Sequence, residues 1–186
     1  MAGRIYNFDN PDRFVAGTIG QPGNRTFYLQ VKDGLRIASV LLEKVQVSLL
    51  AERLTQLLNE VRERGASVPD EPGATDLDTA PLDEPINQLF RVGTMAIVWN
   101  GEDESIVVEA RAMGEETEDA EQTEEEEDVA DEDRDLVRVL LRPRQALAFA
   151  QRALEIVAAG RPPCPFCGQP LNPEGHICAR RNGFMH

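Results

Sequence analysis

A chain of 186 residues, 41% of them apolar, can build one ordinary core with a small appendage and is short for two full domains. Its 33 Asp and Glu against 19 Lys and Arg give a formal charge of -14, but residues 115–135 alone hold 14 acids and one Arg, and the remainder, with 19 acids and 18 bases, is nearly neutral. That distribution excludes a histone-like or generally polyanion-seeking protein, a collagenous or disulfide-dense chain, and a membrane span.

The opening MAGRIYNFDNPDRF carries charges and asparagines where a secretory signal needs an apolar stretch, and no run approaches the roughly 18 apolar residues of a membrane helix. A soluble cytoplasmic protein is expected. Its three cysteines, Cys164, Cys167 and Cys178, fall within 15 residues, and an odd number in a reducing compartment makes disulfides the weaker reading.

Phe14 to Gly20 reads as a first strand, and Gln21-Pro22-Gly23-Asn24 carries the Pro-Gly pair of a type II turn. Thr26 to Val31 is aromatic and β-branched, Asp33-Gly34 supplies a tight turn, and Leu35 to Leu42 continues as a third strand. From Val45 to Arg64 the period changes: Val47, Leu50, Leu54, Leu57, Leu58 and Val61 recur at spacings of three and four, the mark of an amphipathic helix. Gly65 ends it. Residues 66–85 are rich in proline and acids without periodicity and read as an exposed linker. Leu89 to Trp99, Ser105 to Met113 and Leu136 to Leu141 read as three more strands. Arg144 to Ala159 reads as a second helix, with Pro143 near its first turn and Gly160 after its end.

The two halves read as copies of one strand-strand-strand-helix unit. Phe14, Gly17 and Thr18 align with Phe90, Gly93 and Thr94 at an offset of 76. Val40-Leu41-Leu42, Gln46, Ala51 and Arg53 align with Val139-Leu140-Leu141, Gln145, Ala150 and Arg152 at an offset of 99. The 23 extra residues correspond to the acidic insert between the second and third strands of the second copy. The expected fold is therefore α+β, an antiparallel or mixed sheet covered on one face by two helices. The organisation is a core domain over 1–160 (repeats at about 12–65 and 86–160, linker 66–85, insert 115–135) and a zinc-knuckle-like tail over 161–186. The insert's like charges repel and offer a core almost nothing, so disorder is expected there. It reads as a solvated loop in preference to a DNA mimic, because long surface insertions cost little stability.

The chemically sharp feature is Cys164-Pro165-Phe166-Cys167-Gly168, followed, eight intervening residues after Cys167, by His176-Ile177-Cys178. Two cysteines three apart can chelate one ion from a tight turn, and Gly168 lets amide N–H groups point at the thiolates. His176 and Cys178 supply the third and fourth donors of a tetrahedral Cys3His zinc site, which leaves no open position for substrate and makes the site structural. Two other readings stay open. A thioredoxin-like redox pair needs a helix after its CxxC, where Gly168, Pro170 and Pro173 stand here; free thiols in a loose tail are the plainer alternative.

Both histidines and all three cysteines lie in that tail, so the rest of the chain has neither His for acid-base work nor a thiol nucleophile. No Walker loop, GxSxG elbow, HExxH helix or Rossmann fingerprint is present. Gly17 to Gly23 is glycine-rich but falls in a predicted hairpin, where its glycines serve the turn better than a phosphate.

The phrases NFDNPDRFVAGTIGQPGNRTFYLQ, VLLEKVQV and CPFCGQPLNPEGHICARRNG resemble an actinobacterial family known only as a domain of unknown function. The resemblance covers both ends and most of the length. In that family the final cysteine is followed by Pro-Arg, whereas here it is Ala179-Arg180, a departure that touches no proposed ligand. The resemblance implies a pathway shared with a phosphoinositide-kinase-like protein and a phosphoglycerate-mutase-like phosphatase, often encoded beside such relatives. It implies no catalytic residue. The expected function is a non-catalytic zinc-binding adaptor for a protein partner. The alternative is nucleic-acid binding through the tail, where Arg161, Arg180 and Arg181 accompany Phe166 and Phe184.

Overall fold

The structure, a computed structural model, describes residues 3–114, 133–169, 171, 176 and 178. Seven strands form one mixed sheet: β1 (Ile5–Asp9), β2 (Arg13–Ile19), β3 (Thr26–Asp33), β4 (Arg36–Leu42), β5 (Gln88–Asn100), β6 (Ser105–Ala112) and β7 (Leu136–Leu141). Helix α1 (Lys44–Glu63) follows β4 and α2 (Pro143–Ala158) follows β7. The order across the sheet is β1-β7-β6-β5-β4-β3-β2. Each repeat contributes an antiparallel three-stranded meander, and the two meet where β4 runs parallel to β5. A parallel neighbour requires a crossover, and α1 is that crossover.

The duplicated strand-strand-strand-helix unit is thus present, and the offsets hold in space. Positions 37–42 of β4 shifted by 99 fall on β7, and Lys44 shifted by 99 falls on Pro143, where each helix begins. At both helix starts a glutamine accepts the preceding amide: Gln46 Oε1 from Glu43 N at 2.8 Å, Gln145 Oε1 from Arg142 N at 2.9 Å. Each then spends its Nε2 on the other repeat. Gln46 donates to the Val92 carbonyl of β5 at 3.1 Å, and Gln145 to the Pro11 carbonyl just before β2 at 2.8 Å. Gln46→Ala is expected to cost about 1 kcal/mol in urea unfolding, the usual effect of losing a helix-start acceptor; no change in the urea midpoint would show the bond to be incidental.

A strand the sequence reading did not anticipate, β1, lies parallel to β7 from Ile5↔Leu136 to Asp9↔Leu140. Its residues Ile5-Tyr6-Asn7-Phe8-Asp9 lack a clear strand pattern, and only Phe8 is fully buried. Pairing with β7 supplies what the local sequence does not. β1 and β2 occupy opposite edges of the sheet, yet only residues 10–12 separate them. Four residue steps span at most about 14 Å, whereas seven flat strands would hold their edges about 29 Å apart. The sheet therefore curls until its edges approach, and Arg36 of β4 reaches β1, donating to the Asn7 carbonyl at 2.9 Å with its guanidinium 4.6 Å from the Phe8 ring centroid.

The helices cover one face of this curled sheet. α1 buries Val47, Leu50, Ala51, Leu54, Leu58 and Val61, and α2 buries Ala146, Ala148, Phe149, Ala150 and Ala153. They meet strand residues that alternate at period two, such as Phe14, Ala16, Leu29, Val31 and Val40, with the Phe14 and Phe149 rings tilted against each other at 4.6 Å between centroids. In the β2–β3 turn Asn24 N donates to the Gln21 carbonyl at 2.9 Å, and Gly23 takes φ +94, as a type II turn requires of its third residue.

Segment 66–85 contains neither helix nor strand, but it is not an exposed linker. Val68 and Leu82 are buried, and Leu82 lies directly over Gly17, where a Cβ would come within 2.5 Å of the leucine side chain. Gln30, buried on the side of the sheet away from the helices, donates to Ser39 Oγ at 3.1 Å and the Asp83 carbonyl at 3.0 Å, and accepts from Asp83 N at 2.8 Å. The segment is a strap across the first repeat. The expectation of disorder in the acidic insert lies outside the described residues over 115–132. No helix among the described residues is long and apolar enough to cross a membrane.

Candidate metal centre

Beyond α2 the chain turns back on itself in short hydrogen-bonded steps. Leu171 N donates to the Pro162 carbonyl at 2.8 Å, Cys164 N to the Gln169 carbonyl at 2.7 Å, and Gly168 N to the Cys164 carbonyl at 2.8 Å. Gly168 takes φ +74, a left-handed conformation that glycine adopts without steric cost. This tight knuckle turns Cys164 and Cys167 toward the same point.

His176 and Cys178 come to that point from the other side. The ligand atoms of Cys164, Cys167, His176 and Cys178 all lie within 4.8 Å of one another, and Cys167 Sγ stands 3.2 Å from His176 Nε2. A tetrahedral ion with bonds of about 2.3 Å to sulfur and about 2.0–2.1 Å to nitrogen sets its ligand atoms about 3.5–3.8 Å apart, so the four side chains fit one metal ion. Cys164 and Cys178 are each only 4% exposed. His176 Nδ1 is buried and makes no hydrogen bond among the described residues. All three sulfurs are free thiols.

The knuckle also sets the sulfurs' acidity. Burial pushes the Cys164 thiol up, but the amide N–H groups of Cys167 and Phe166, with hydrogen bonds from the other two sulfurs, outweigh it and hold its pKa below the ordinary thiol value. At Cys167 the Gln169 N–H favours the thiolate, yet burial and the neighbouring sulfurs prevail and raise it. Three sulfurs this close cannot all carry charge unless a cation joins them.

The sequence reading did not find a second constellation, which pins the strap. Arg13 of β2 donates to both Asp78 carboxylate oxygens (2.5 and 3.0 Å), to Asp83 Oδ2 (2.7 Å) and to the carbonyls of Ala80 (2.9 Å) and Pro81 (2.8 Å). Arg152 of α2 donates to the Ala16 carbonyl at 2.8 Å, to the Asp78 carbonyl, to Asp78 Oδ1 at 3.1 Å and to the Ala80 carbonyl at 2.7 Å. Lys32 adds a bond to Asp83 Oδ1 at 2.8 Å. The hydrogen bond from Arg13, opposed by burial and aided by Ala80 N–H and Arg152, holds the Asp78 carboxyl below the usual carboxylate range. The one available signal was the repeat itself, which pairs Arg152 with Arg53.

Of the tail's basic and aromatic residues, Arg161 and Phe166 are described, whereas Arg180, Arg181, Phe184 and His186 lie outside the described residues. Arg161 borders a cleft of about 310 Å3 together with Arg25 and Lys44, beside Gly160 at the end of α2.

Together these features define a duplicated strand-strand-strand-helix protein with a mixed seven-stranded sheet and a C-terminal Cys3His cluster able to hold a metal. The chain belongs to a family of proteins of unknown function, DUF3090, whose model matches residues 6–178. That span takes in β1, both repeats and all four residues of the cluster. No curated protein and no solved structure matches it.

Proposed function

We propose that this protein is a non-catalytic interaction module whose C-terminal segment is stapled by a structural zinc ion, and that it serves as an adaptor for a protein partner. The observation that carries the reading is the closed donor set: three sulfurs and one imidazole within 4.8 Å. A catalytic zinc keeps a position open for water or substrate, whereas four protein donors complete the tetrahedron. Thiolate-rich sets select zinc over the hard ions magnesium and calcium. So short a segment has little core of its own, and metal binding supplies most of its folding free energy. Elemental analysis of fresh, tag-free protein is expected to return about one zinc per chain. Absence of a stoichiometric transition metal would sink the reading.

One observation favours nucleic-acid binding as a second reading. Arg25, Lys44 and Arg161 border one cleft where the Cys/His segment leaves α2, a small basic footprint of the kind that holds backbone phosphates while aromatics stack bases. Titration of a single-stranded oligonucleotide at several salt concentrations separates the two readings. The adaptor reading expects no binding at any salt. The nucleic-acid reading expects affinity falling steeply as salt rises, with a log-log slope of about -0.7 per phosphate contacted.

A further inference from the structure

We infer that the cleft between the β2–β3 turn, the start of α1 and the end of α2 binds a phosphate monoester group. The inference extends the adaptor reading by naming a chemical mark on what is bound, and it does not depend on the metal. Three cations from distant parts of the sequence border this cleft of about 310 Å3: Arg25 just before β3, Lys44 at the first position of α1, and Arg161 beyond the end of α2. No carboxylate of the described residues lines it.

Glycines let the charges converge. A Cβ added at Gly160 would stand 3.4 Å from Lys44 Nζ and 3.5 Å from Arg25 Nη2, so those two nitrogens are at most about 7 Å apart. On the other side of the cleft, a Cβ at Gly23 would come within 3.1 Å of Arg161 Nε. Like charges this close repel, and an anion between them removes the cost. Arg25 is held in place: its Nη1 donates to the Ile156 carbonyl at 3.1 Å, and its guanidinium lies 5.2 Å from the Phe27 ring centroid. Its Nη2 and the Lys44 ammonium donate to nothing among the described residues. Capping of α2 therefore accounts for one bond of Arg25 and not for Lys44. The helix end itself offers only about half a unit of negative charge.

The ligand class follows from charge and shape. A phosphate monoester brings a charge of about -1.5 to -2 and three strong acceptor oxygens to several cationic donors in one compact cleft. A carboxylate or a phosphodiester brings one charge and two free oxygens. A nucleic-acid strand would also carry its further charges toward a chain of net charge -14, whose long-range field opposes a polyanion. One compact dianion meets chiefly the local cations. Phe27 and Val157 supply an apolar wall for the carbon side of the ester.

The test follows the backbone amide signals of the full-length protein by NMR as phenyl phosphate is added. Saturable shifts are expected at Gly23 and Gly160, with affinity lowered about 10-fold by Lys44→Ala, as loss of a charge-assisted contact predicts. Lys44 is exposed and alanine favours helix, so the variant should keep its fold, checked by circular dichroism. Arg53→Ala, the same loss of charge nine positions further along α1, should leave affinity unchanged. Diphenyl phosphate, a diester, should bind about 10-fold or more weakly than the monoester. A phosphoserine peptide and glycerol phosphate then separate the sources. Tighter binding of the peptide assigns the group to a modified protein partner; tighter binding of glycerol phosphate assigns it to a small ester, which counts against the adaptor reading but supports the ligand class. The inference is overturned by the absence of saturable shifts at millimolar phenyl phosphate, by binding indifferent to Lys44→Ala, or by an equal loss in Arg53→Ala. It is overturned equally if diphenyl phosphate, or an oligonucleotide without terminal phosphates, binds as tightly as phenyl phosphate.

Discussion

Replacing Cys164 with serine is expected to weaken zinc binding by about 60- to 1,000-fold. Structural zinc sites in small peptides are worth about 10–16 kcal/mol at neutral pH, so each of four donors carries about 2.5–4 kcal/mol. Serine keeps the size of the side chain but replaces a soft thiolate with a hydroxyl that does not ionise near neutrality. Competition against a chromogenic chelator measures the loss directly. A structural readout accompanies it. Phe166 sits between the first two sulfurs and is 52% exposed, so chymotryptic cleavage after it should be slow in the zinc-loaded protein and fast after chelation or in Cys164→Ser. The effect has a pH direction as well: the donors must be deprotonated to bind, so zinc affinity falls as pH drops. Cleavage at equal rates with and without chelator would show that the knuckle holds itself without metal.

The contrast between this cluster and the strap shows what the sequence makes legible. The Cys/His donors lie within 15 residues, and a short spacing with a glycine in the turn constrains geometry almost by itself. The six repeat strands and two helices were legible for the same reason, because periods of two and 3.6 are local properties of the chain. β1 was not, because its five residues are too few for a clear period and join the sheet by pairing with β7, about 130 positions away. The curling of the sheet follows from the same pairing and was equally hidden. The strap reads as a linker because proline and aspartate dominate it. What fixes it are two arginines, one on a strand and one on a helix, whose target is visible only after the sheet forms. Gln46 and Gln145 fell between these cases: the alignment matched them, but their bonds to the opposite repeat needed three dimensions.

Replacing Asp78 with alanine is expected to lower stability by about 1–3 kcal/mol in urea unfolding. The change removes the carboxylate shared by Arg13 and Arg152, whose side chains are only 14% and 11% exposed. A guanidinium left near the interior without its counter-charge costs more than the pair's own attraction, about 3–5 kcal/mol for a fully buried pair. Asp78 itself is 30% exposed, so solvent screening and the strap carbonyls that still accept from both arginines reduce the figure. Arg91→Ala, which breaks a pair with Glu43 in which both partners are about half exposed, should cost under about 0.5 kcal/mol by comparison. The Asp78 effect also carries a sign in pH. Its carboxyl is held below the usual carboxylate range, first by the Arg13 hydrogen bond. A carboxyl with a depressed folded-state pKa contributes its full stability above the unfolded value and loses it as pH falls through the folded one. The gap between wild type and Asp78→Ala should therefore stay constant from neutrality down to about pH 5 and narrow below pH 4. A gap that persists unchanged into strong acid would mean that Asp78 acts through its backbone and packing and not through its charge.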